Sequence, residues 1–266
     1  MLQEKEIFDR TELLIGTEAM DKTKRQRVIL LGVGGVGSWC AESLIRSGIG
    51  QLTLVDSDCI CPTNINRQLP ATTETVGMPK TEVLKTRLLT INPYAKITAI
   101  QAAYTAETSH LFQLDSYDYI IDAIDSLQHK ANLILHATRT NATFFSSMGA
   151  ALKLDASRIQ TAEFWKVHGC PLAAALRRMF KKNTLPSKKF LCVFSDEVLE
   201  NKGVHTGASR NYSVRNERFD DVVGDDSTVQ STWDERKARI NGTMVHIPAI
   251  FGFTLSCLLM QDIMGN

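Results

Sequence analysis

The sequence predicts an α/β fold on a doubly wound, mainly parallel sheet, and three features carry that reading. Short apolar runs alternate with helix-length segments from Val28 to Ser147. Four glycines, Gly32, Gly34, Gly35 and Gly37, close the first of those runs. The run Tyr119 to Ile124 is apolar enough to lie at the centre of a parallel sheet, covered on both faces. Repeated strand-helix-strand units cross over right-handed, which puts the binding crevice at the carboxyl ends of the strands. With 266 residues, 44% hydrophobic and 22% charged, the chain has the make-up of a folded enzyme of one or two domains.

In order, Leu2 to Lys24 predicts a helical lead-in with an apolar face of Ile7, Leu13, Leu14 and Met20, and with Arg10 inside it. Strand Val28 to Leu31 leads through the glycine turn into a helix from about Val36 to Ser47, ended by Gly48 and Gly50. Strand Leu52 to Val55 opens onto a polar loop, Ser57 to Thr75. Pro79 starts the next helix at its first position and Asn92-Pro93 stops it, because proline fixes φ and lacks the amide that a helix interior needs. Ile97 to Ile100 and Tyr119 to Ile124 are strands, the second delivering Asp122 and Asp125 at its end. Helix Leu127 to Thr140 and strand Thr143 to Ser147 extend the pattern.

From Gly149 the alternation fades into a mixed C-terminal extension. Leu152 to Phe164 reads as one or two strands, Pro171 to Lys182 as a helix, Phe190 to Phe194 as a strand, and Glu200 to Asn241 as a long mobile crossover loop. The stretch Ile247 to Met260 is fourteen residues without a charge, short of the roughly 20 that cross a bilayer. Pro248 suits a first helical turn, so the expectation is a buried or dimer-interface helix and no membrane partner.

A net charge of +1 excludes a strongly basic molecule, so any nucleic-acid contact must be local. One local excess exists: no acid lies between Glu163 and Asp196, while Lys166, Arg177, Arg178, Lys181, Lys182, Lys188 and Lys189 do. The six cysteines form no CxxC pair, and no basic and apolar leader precedes the first strand, which predicts a cytoplasmic, reducing environment.

Gly32, Gly34 and Gly37 form a GxGxxG after a strand, the Rossmann-like turn that lets backbone amides approach phosphate at a helix N-terminus. Asp56, 24 residues after Gly32, is near the spacing at which an acid grips ribose hydroxyls. Those residues alone favour NAD(P) or FAD. The chain beyond them does not: Asp56-Ser-Asp58, then Asn64, Asn66, Arg67 and Gln68, then Lys80, then Asp122-Ala-Ile-Asp125 with Ser126. Two cations and a strand-end carboxylate beyond the amide cradle suit a triphosphate with Mg²⁺. Arg67 and Lys80 can neutralise developing charge, and Asp125 can ligate the metal.

With those motifs, and with Arg46-Ser-Gly-Ile-Gly50 and Ile91-Asn-Pro93, the chain from Phe8 to Ala151 resembles the adenylyltransferase family of ubiquitin-activating enzymes and ThiF and MoeB-type sulfur-carrier activators. Those enzymes adenylate a carboxylate with ATP. The resemblance implies that Gly32, Gly34, Gly35 and Gly37 hold phosphates, Asp56 the ribose, Arg67 and Lys80 the triphosphate with Asn64, Asn66, Gln68 and Ser126 beside them, and Asp125 the magnesium. It also implies a homodimer in which Arg10 reaches across as an arginine finger. The sulfur-carrier activators carry paired CxxC zinc ligands in their second half, which this sequence lacks, so no structural zinc is expected.

The second half instead resembles the tRNA threonylcarbamoyladenosine dehydratases, through Gly149, Asp155-x-x-x-Ile159-Gln160, Cys192-Val-Phe-Ser195 and then Asp196, and Phe251-Gly-Phe253. That likeness implies an ATP-dependent adenylation and ring-closing dehydration of a modified adenosine beside a tRNA anticodon. One ThiF-type domain would span residues 1–266, its nucleotide half reaching to about 150 and its substrate and dimer half beyond that. The seven cations then have a use on tRNA phosphates. The likeness leaves room for cysteine-desulfurase sulfur-transfer partners. Activation of a ubiquitin-like sulfur carrier ending in Gly-Gly is the rival reading, and an NAD(P)-linked oxidoreductase is a third. Cys192 reads as a buried apolar residue, Cys59 and Cys61 as packing, and none of the six histidines has a ligand pairing.

Overall fold

The computed structural model describes residues 3–203 and 241–265, so most of the expected loop Glu200 to Asn241 lies outside the described residues. The strands are β1 (Arg27–Leu31), β2 (Gln51–Val55), β3 (Lys96–Ile100), β4 (Tyr119–Asp122), β5 (Thr143–Ser147), β6 (Ile159–Glu163) and β7 (Leu191–Ser195). They form one sheet in the order β3-β2-β1-β4-β5-β7-β6. Every pair is parallel except β6 with β7, where Ile159 lies opposite Ser195 and Glu163 opposite Leu191. The order reverses between β1 and β4, and a doubly wound sheet opens its crevice at that point.

Alternate residues of each strand face opposite sides, so an inner strand must be apolar on both. Ile29, Leu31, Ile120, Phe144 and Phe194 pack on one side against α5 (Leu127–Ala137) and α6 (Pro171–Lys182). Val28, Leu30, Leu52, Leu54, Ile121 and Phe145 pack on the other against α3 (Gly37–Arg46), α4 (Lys80–Ile91) and a last helix, His246–Met264. A fully buried ion pair ties the layers: Lys130 of α5 donates to Asp122 Oδ2 at 2.6 Å and to the Ser147 carbonyl at 2.9 Å, while Ser146 Oγ donates to the same carboxylate oxygen at 2.6 Å. Removing one member of such a pair strands a buried charge, at about 3–5 kcal/mol.

Several expectations need correction, among them Pro79, which is the N-cap of α4 and not its first helical residue. The lead-in is two helices, α1 (Glu4–Ile15) and α2 (Thr17–Arg25), broken at Gly16 with φ +82°. Its expected apolar face is half outside: Leu13 and Leu14 are 78% and 85% exposed, and Phe8 and Met20 are the side chains that pack inward, onto Gly48. Strand β4 stops at Asp122 rather than Ile124, because the Asp122 carboxylate captures the Ile124 amide (3.0 Å) and turns the chain. Helix α5 ends at Ala137, three residues before Thr140.

The last helix, α7, spans 19 residues, five more than its uncharged stretch. It is long and apolar enough to cross a membrane, so the length argument does not hold. Its buried residues Ile247, Phe251, Leu255 and Leu259 instead join the core beside α3 and the sheet.

Candidate active site

The chain leaves β1 through a turn that glycine makes possible. Gly32 has φ +88° and lies so close to β4 that a Cβ there would sit 2.7 Å from the Ala123 carbonyl oxygen. A Cβ on Gly37 would overlap the Gly32 carbonyl at 1.8 Å. The turn delivers Gly34, Gly35 and Val36 to the start of α3, where the first amides have no intrahelical acceptor and carry the positive end of the helix dipole. Anion binding is the chemistry such a turn supports.

At the end of β2, Asp56 accepts from the Val33 amide (2.8 Å, Oδ2) and from the Asp58 amide (2.9 Å, Oδ1), bracing the glycine turn against the next loop. Burial pushes its pKa up, and nearby Lys80 opposes that shift. A carboxylate offers about four acceptor positions, so two remain for hydroxyl donors. Lys80, the first residue of α4, is 5% exposed, and its ammonium lies 2.8 Å from Asp58 Oδ2. Asp58, read in the sequence only as part of a motif, is thus the group that aims the lysine.

The loop between them carries Arg67. Its Nη1 donates to the Thr63 carbonyl (2.7 Å) and to Asn66 Oδ1 (2.9 Å), and its own carbonyl accepts from Trp39 Nε1 (3.0 Å). Burial lowers the guanidinium pKa, while the charge of Asp125 raises it. Arg67 also flanks the turn: a Cβ on Gly35 would lie 3.6 Å from Arg67 Cγ and 3.3 Å from Pro248 Cβ.

Asn64 is buried and caps its own loop, accepting the Cys61 amide at 3.0 Å. Asn66 Nδ2 reaches the Thr243 carbonyl (3.0 Å), tying the loop to the segment before α7. Gln68 is buried next to Gly34, and its Oε1 has no hydrogen-bond partner among the described residues. Ser126 is the N-cap of α5, without a side-chain cap bond.

Arg10 is not brought to this crevice. It is exposed on α1, whose Phe8 packs at Gly48 beyond the C-terminal end of α3, while the glycine turn lies at the other end of that helix, roughly 15 Å away. Nor is the basic interval nearby. Cys170 and Leu172 lie near Gly149 at the carboxyl end of β5, so α6 runs from there toward the amino ends of the strands. Of the seven cations, Arg177 donates to the Phe164 and Val167 carbonyls and Lys188 to those of Thr140 and Ala142, so these two hold the fold. Lys166, Arg178, Lys181, Lys182 and Lys189 are exposed. Cys192 is fully buried, and burial drives its thiol pKa well up. Among the described residues, no group of three or more His, Cys, Asp or Glu is arranged to hold a metal.

Trp39, Thr243 and Pro248 gave no motif signal. They act through an indole N–H, a backbone carbonyl and a ring that shapes a wall, and the latter two come from a segment far away in sequence.

Comparison with known proteins agrees with this geometry. The chain is 43% identical over 190 residues, 71% of its length and 74% of the relative's, to the tRNA threonylcarbamoyladenosine dehydratase of Bacillus subtilis. It is 32% identical over 171 residues, 64% of its length and 65% of the relative's, to the molybdopterin-synthase adenylyltransferase of Escherichia coli. Among solved structures it superposes on the Escherichia coli tRNA N6-threonylcarbamoyladenosine dehydratase TcdA in complex with ATP, with a TM-score of 0.79 and 30% identity, over 100% of this chain and 97% of that one. The same relative in complex with AMP gives a TM-score of 0.80 at 30% identity, over the same shares of the two chains. Residues 8–198, which include the glycine turn and all of Asp56, Arg67, Lys80 and Asp125, match the ThiF family, and the chain belongs to it.

Proposed function

We propose that the chain is an ATP-dependent tRNA threonylcarbamoyladenosine dehydratase. It adenylates the carboxylate of the modified adenosine and lets the neighbouring urea close a ring. The observation that carries this reading is Arg67 beside the Gly35 turn, with Asp56 bracing that turn and Lys80 paired to Asp58 next to it, in a chain so similar to the Bacillus subtilis dehydratase.

The residues fit a nucleotide. Amides at the α3 N-terminus meet phosphate oxygens, the two open acceptor positions of Asp56 take ribose hydroxyls, and the orphaned Gln68 Oε1 takes a further donor hydrogen from the ligand. Lys80 and Arg67 face the phosphates, where charge grows as the substrate carboxylate oxygen attacks the α-phosphorus and pyrophosphate departs. The urea then attacks the acyl carbon, a urea proton is lost, and AMP leaves with the former carboxylate oxygen. Net, ATP and the open side chain give AMP, pyrophosphate and a ring one water lighter. Ring closure is intramolecular, and orientation alone is worth roughly 7–11 kcal/mol in such reactions, so no protein nucleophile is required.

Magnesium is held in many phosphate sites by one or two carboxylates plus the phosphates themselves, which a single Asp125 satisfies, and it would neutralise charge on the departing pyrophosphate. Asn64 and Ser126 support the loop and the start of α5 around the nucleotide. A homodimer supplies Arg10 from its partner, since Arg10 lies beyond reach of its own crevice. The protein works in the cytoplasm, where cysteine-desulfurase sulfur-transfer proteins are candidate partners.

The test is to incubate the protein with ATP, Mg²⁺ and tRNA carrying threonylcarbamoyladenosine, digest to nucleosides and weigh them. Loss of one water is expected. Arg67→Ala and Lys80→Ala should each slow it about 10²- to 10³-fold, the scale for removing one donor that stabilises a transition state, with circular dichroism unchanged. Wild-type rates in either variant would reject the site. Turnover only with a small protein ending in Gly-Gly would make the chain a sulfur-carrier activator instead.

A further inference from the structure

At the amino ends of β5 and β7, far from the glycine turn, three rings form a foundation. Phe164 stacks on Phe190 with centroids 5.0 Å apart and meets Phe180 edge-on at 5.8 Å. Each ring is buried, and each has exposed chain neighbours: Trp165 and Lys166 come after Phe164, Lys181 and Lys182 after Phe180, and Lys189 before Phe190. Arg177 clasps the same corner through the Phe164 and Val167 carbonyls (3.3 and 2.6 Å). Residues 165–166, 181–182 and 189 thus adjoin one buried ring cluster.

The side chains of Lys166, Lys181, Lys182 and Lys189 make no hydrogen bond or ion pair with another described residue. Trp165 leans edge-on against Phe164 at 5.2 Å, yet its large ring is 37% exposed. Of the acids that border the face, Glu163 accepts the Trp165 amide through Oε2 (3.1 Å) while its buried Oε1 has no partner among the described residues, and Asp262 accepts the Tyr119 hydroxyl (2.8 Å). An aromatic face ringed by uncommitted cations is what unpaired nucleic acid recognises, by stacking a base and holding its phosphates. An acidic polypeptide would use the cations and leave the ring idle.

We infer that this face is a second RNA contact, on which Trp165 stacks an unpaired base while Lys166, Lys181, Lys182 and Lys189 hold flanking phosphates. The inference rests on the reading of tRNA as substrate and names where that tRNA is gripped away from the reacting nucleotide. Helix α6, 12 residues or roughly 18 Å long, separates this face from the crevice end of the sheet. It therefore sets affinity and leaves the chemistry untouched.

The experiment compares tRNA binding, tRNA KM and kcat for the wild type, Trp165→Ala, Trp165→Phe and a triple charge reversal of Lys181, Lys182 and Lys189 to Glu, with ATP affinity as the control. Trp165→Ala should raise Kd and KM for tRNA about 5- to 100-fold at unchanged kcat and ATP affinity, and Trp165→Phe should restore most of that affinity. The triple reversal should flatten the salt dependence of binding by about 0.7 for each phosphate no longer held. Wild-type Kd and salt slope in both the alanine and the reversal variants would overturn the surface while leaving the dehydratase reading intact. So would equal competition from polyglutamate and from RNA. A wild-type protein that neither binds nor dehydrates tRNA would remove both.

Discussion

Asp56 shows how much of the site a single carboxylate organises. It braces the turn through the Val33 amide, the next loop through the Asp58 amide, and keeps acceptor positions for a ligand. Its pKa is raised by burial above the ordinary 3.8, so between the unfolded and folded values the native state holds the extra proton. This group's contribution to folding stability is therefore present below the unfolded pKa and falls as pH rises through that window. Ligand binding runs the other way, because an ionised carboxylate accepts ribose hydroxyls more strongly than a protonated one. ATP affinity, measured by calorimetry from pH 7 downward, should weaken at a pH above that of an ordinary aspartate, and Asp56→Asn should bind weakly without that acid limb. An identical pH profile in the variant would show that Asp56 does not contact the nucleotide. The Asp56 and Lys80 positions were legible because their types and spacing announce the chemistry. The roles of Asp58 and Trp39 were not: a salt bridge that aims a lysine and an indole that grips a carbonyl depend on three-dimensional proximity alone.

At the level of elements, the inner strands were readable because burial on both faces leaves an unbroken apolar run, as in β1 and β5. The edge strand β6, with Gln160 and Thr161 exposed, carries no such run. Leu13 and Leu14 misled because an apolar pair on a helix looks the same in sequence whether it faces the core or solvent. The largest gap concerned α7, whose place against the nucleotide turn no local pattern reveals. Its Gly252 approaches α3 so closely that a Cβ would lie 2.5 Å from the Val36 carbonyl and 2.7 Å from the Cys40 amide. Val36 is the N-cap of α3, the helix that the glycine turn opens. Gly252→Ala should therefore push α7 off that turn, lowering both Tm and ATP affinity, with a stability loss of about 1–3 kcal/mol typical of overpacking. A lowered Tm with unchanged ATP affinity would mean that α7 supports the core without shaping the turn.

For the whole molecule, the sheet separates two surfaces by its length: the glycine-turn crevice at the carboxyl ends of the strands and exposed cations at the amino ends. Arg10 lies at neither in its own chain, and the homodimer proposed above would carry it to a partner's site. Arg10→Ala and Lys80→Ala should each be nearly inactive as purified dimers, yet mixing them under exchanging conditions should restore about a quarter of wild-type sites, since half of random dimers then hold one intact site in two. No recovery on mixing would confine Arg10 to its own subunit.

The central chemical claim is that the substrate's carboxylate oxygen attacks the α-phosphorus, and an isotope reads this directly. With heavy oxygen in the threonyl carboxylate of the tRNA, one labelled atom should appear in AMP after a single turnover. Label in inorganic phosphate with ADP as the product, or in pyrophosphate with unlabelled AMP, would contradict the account.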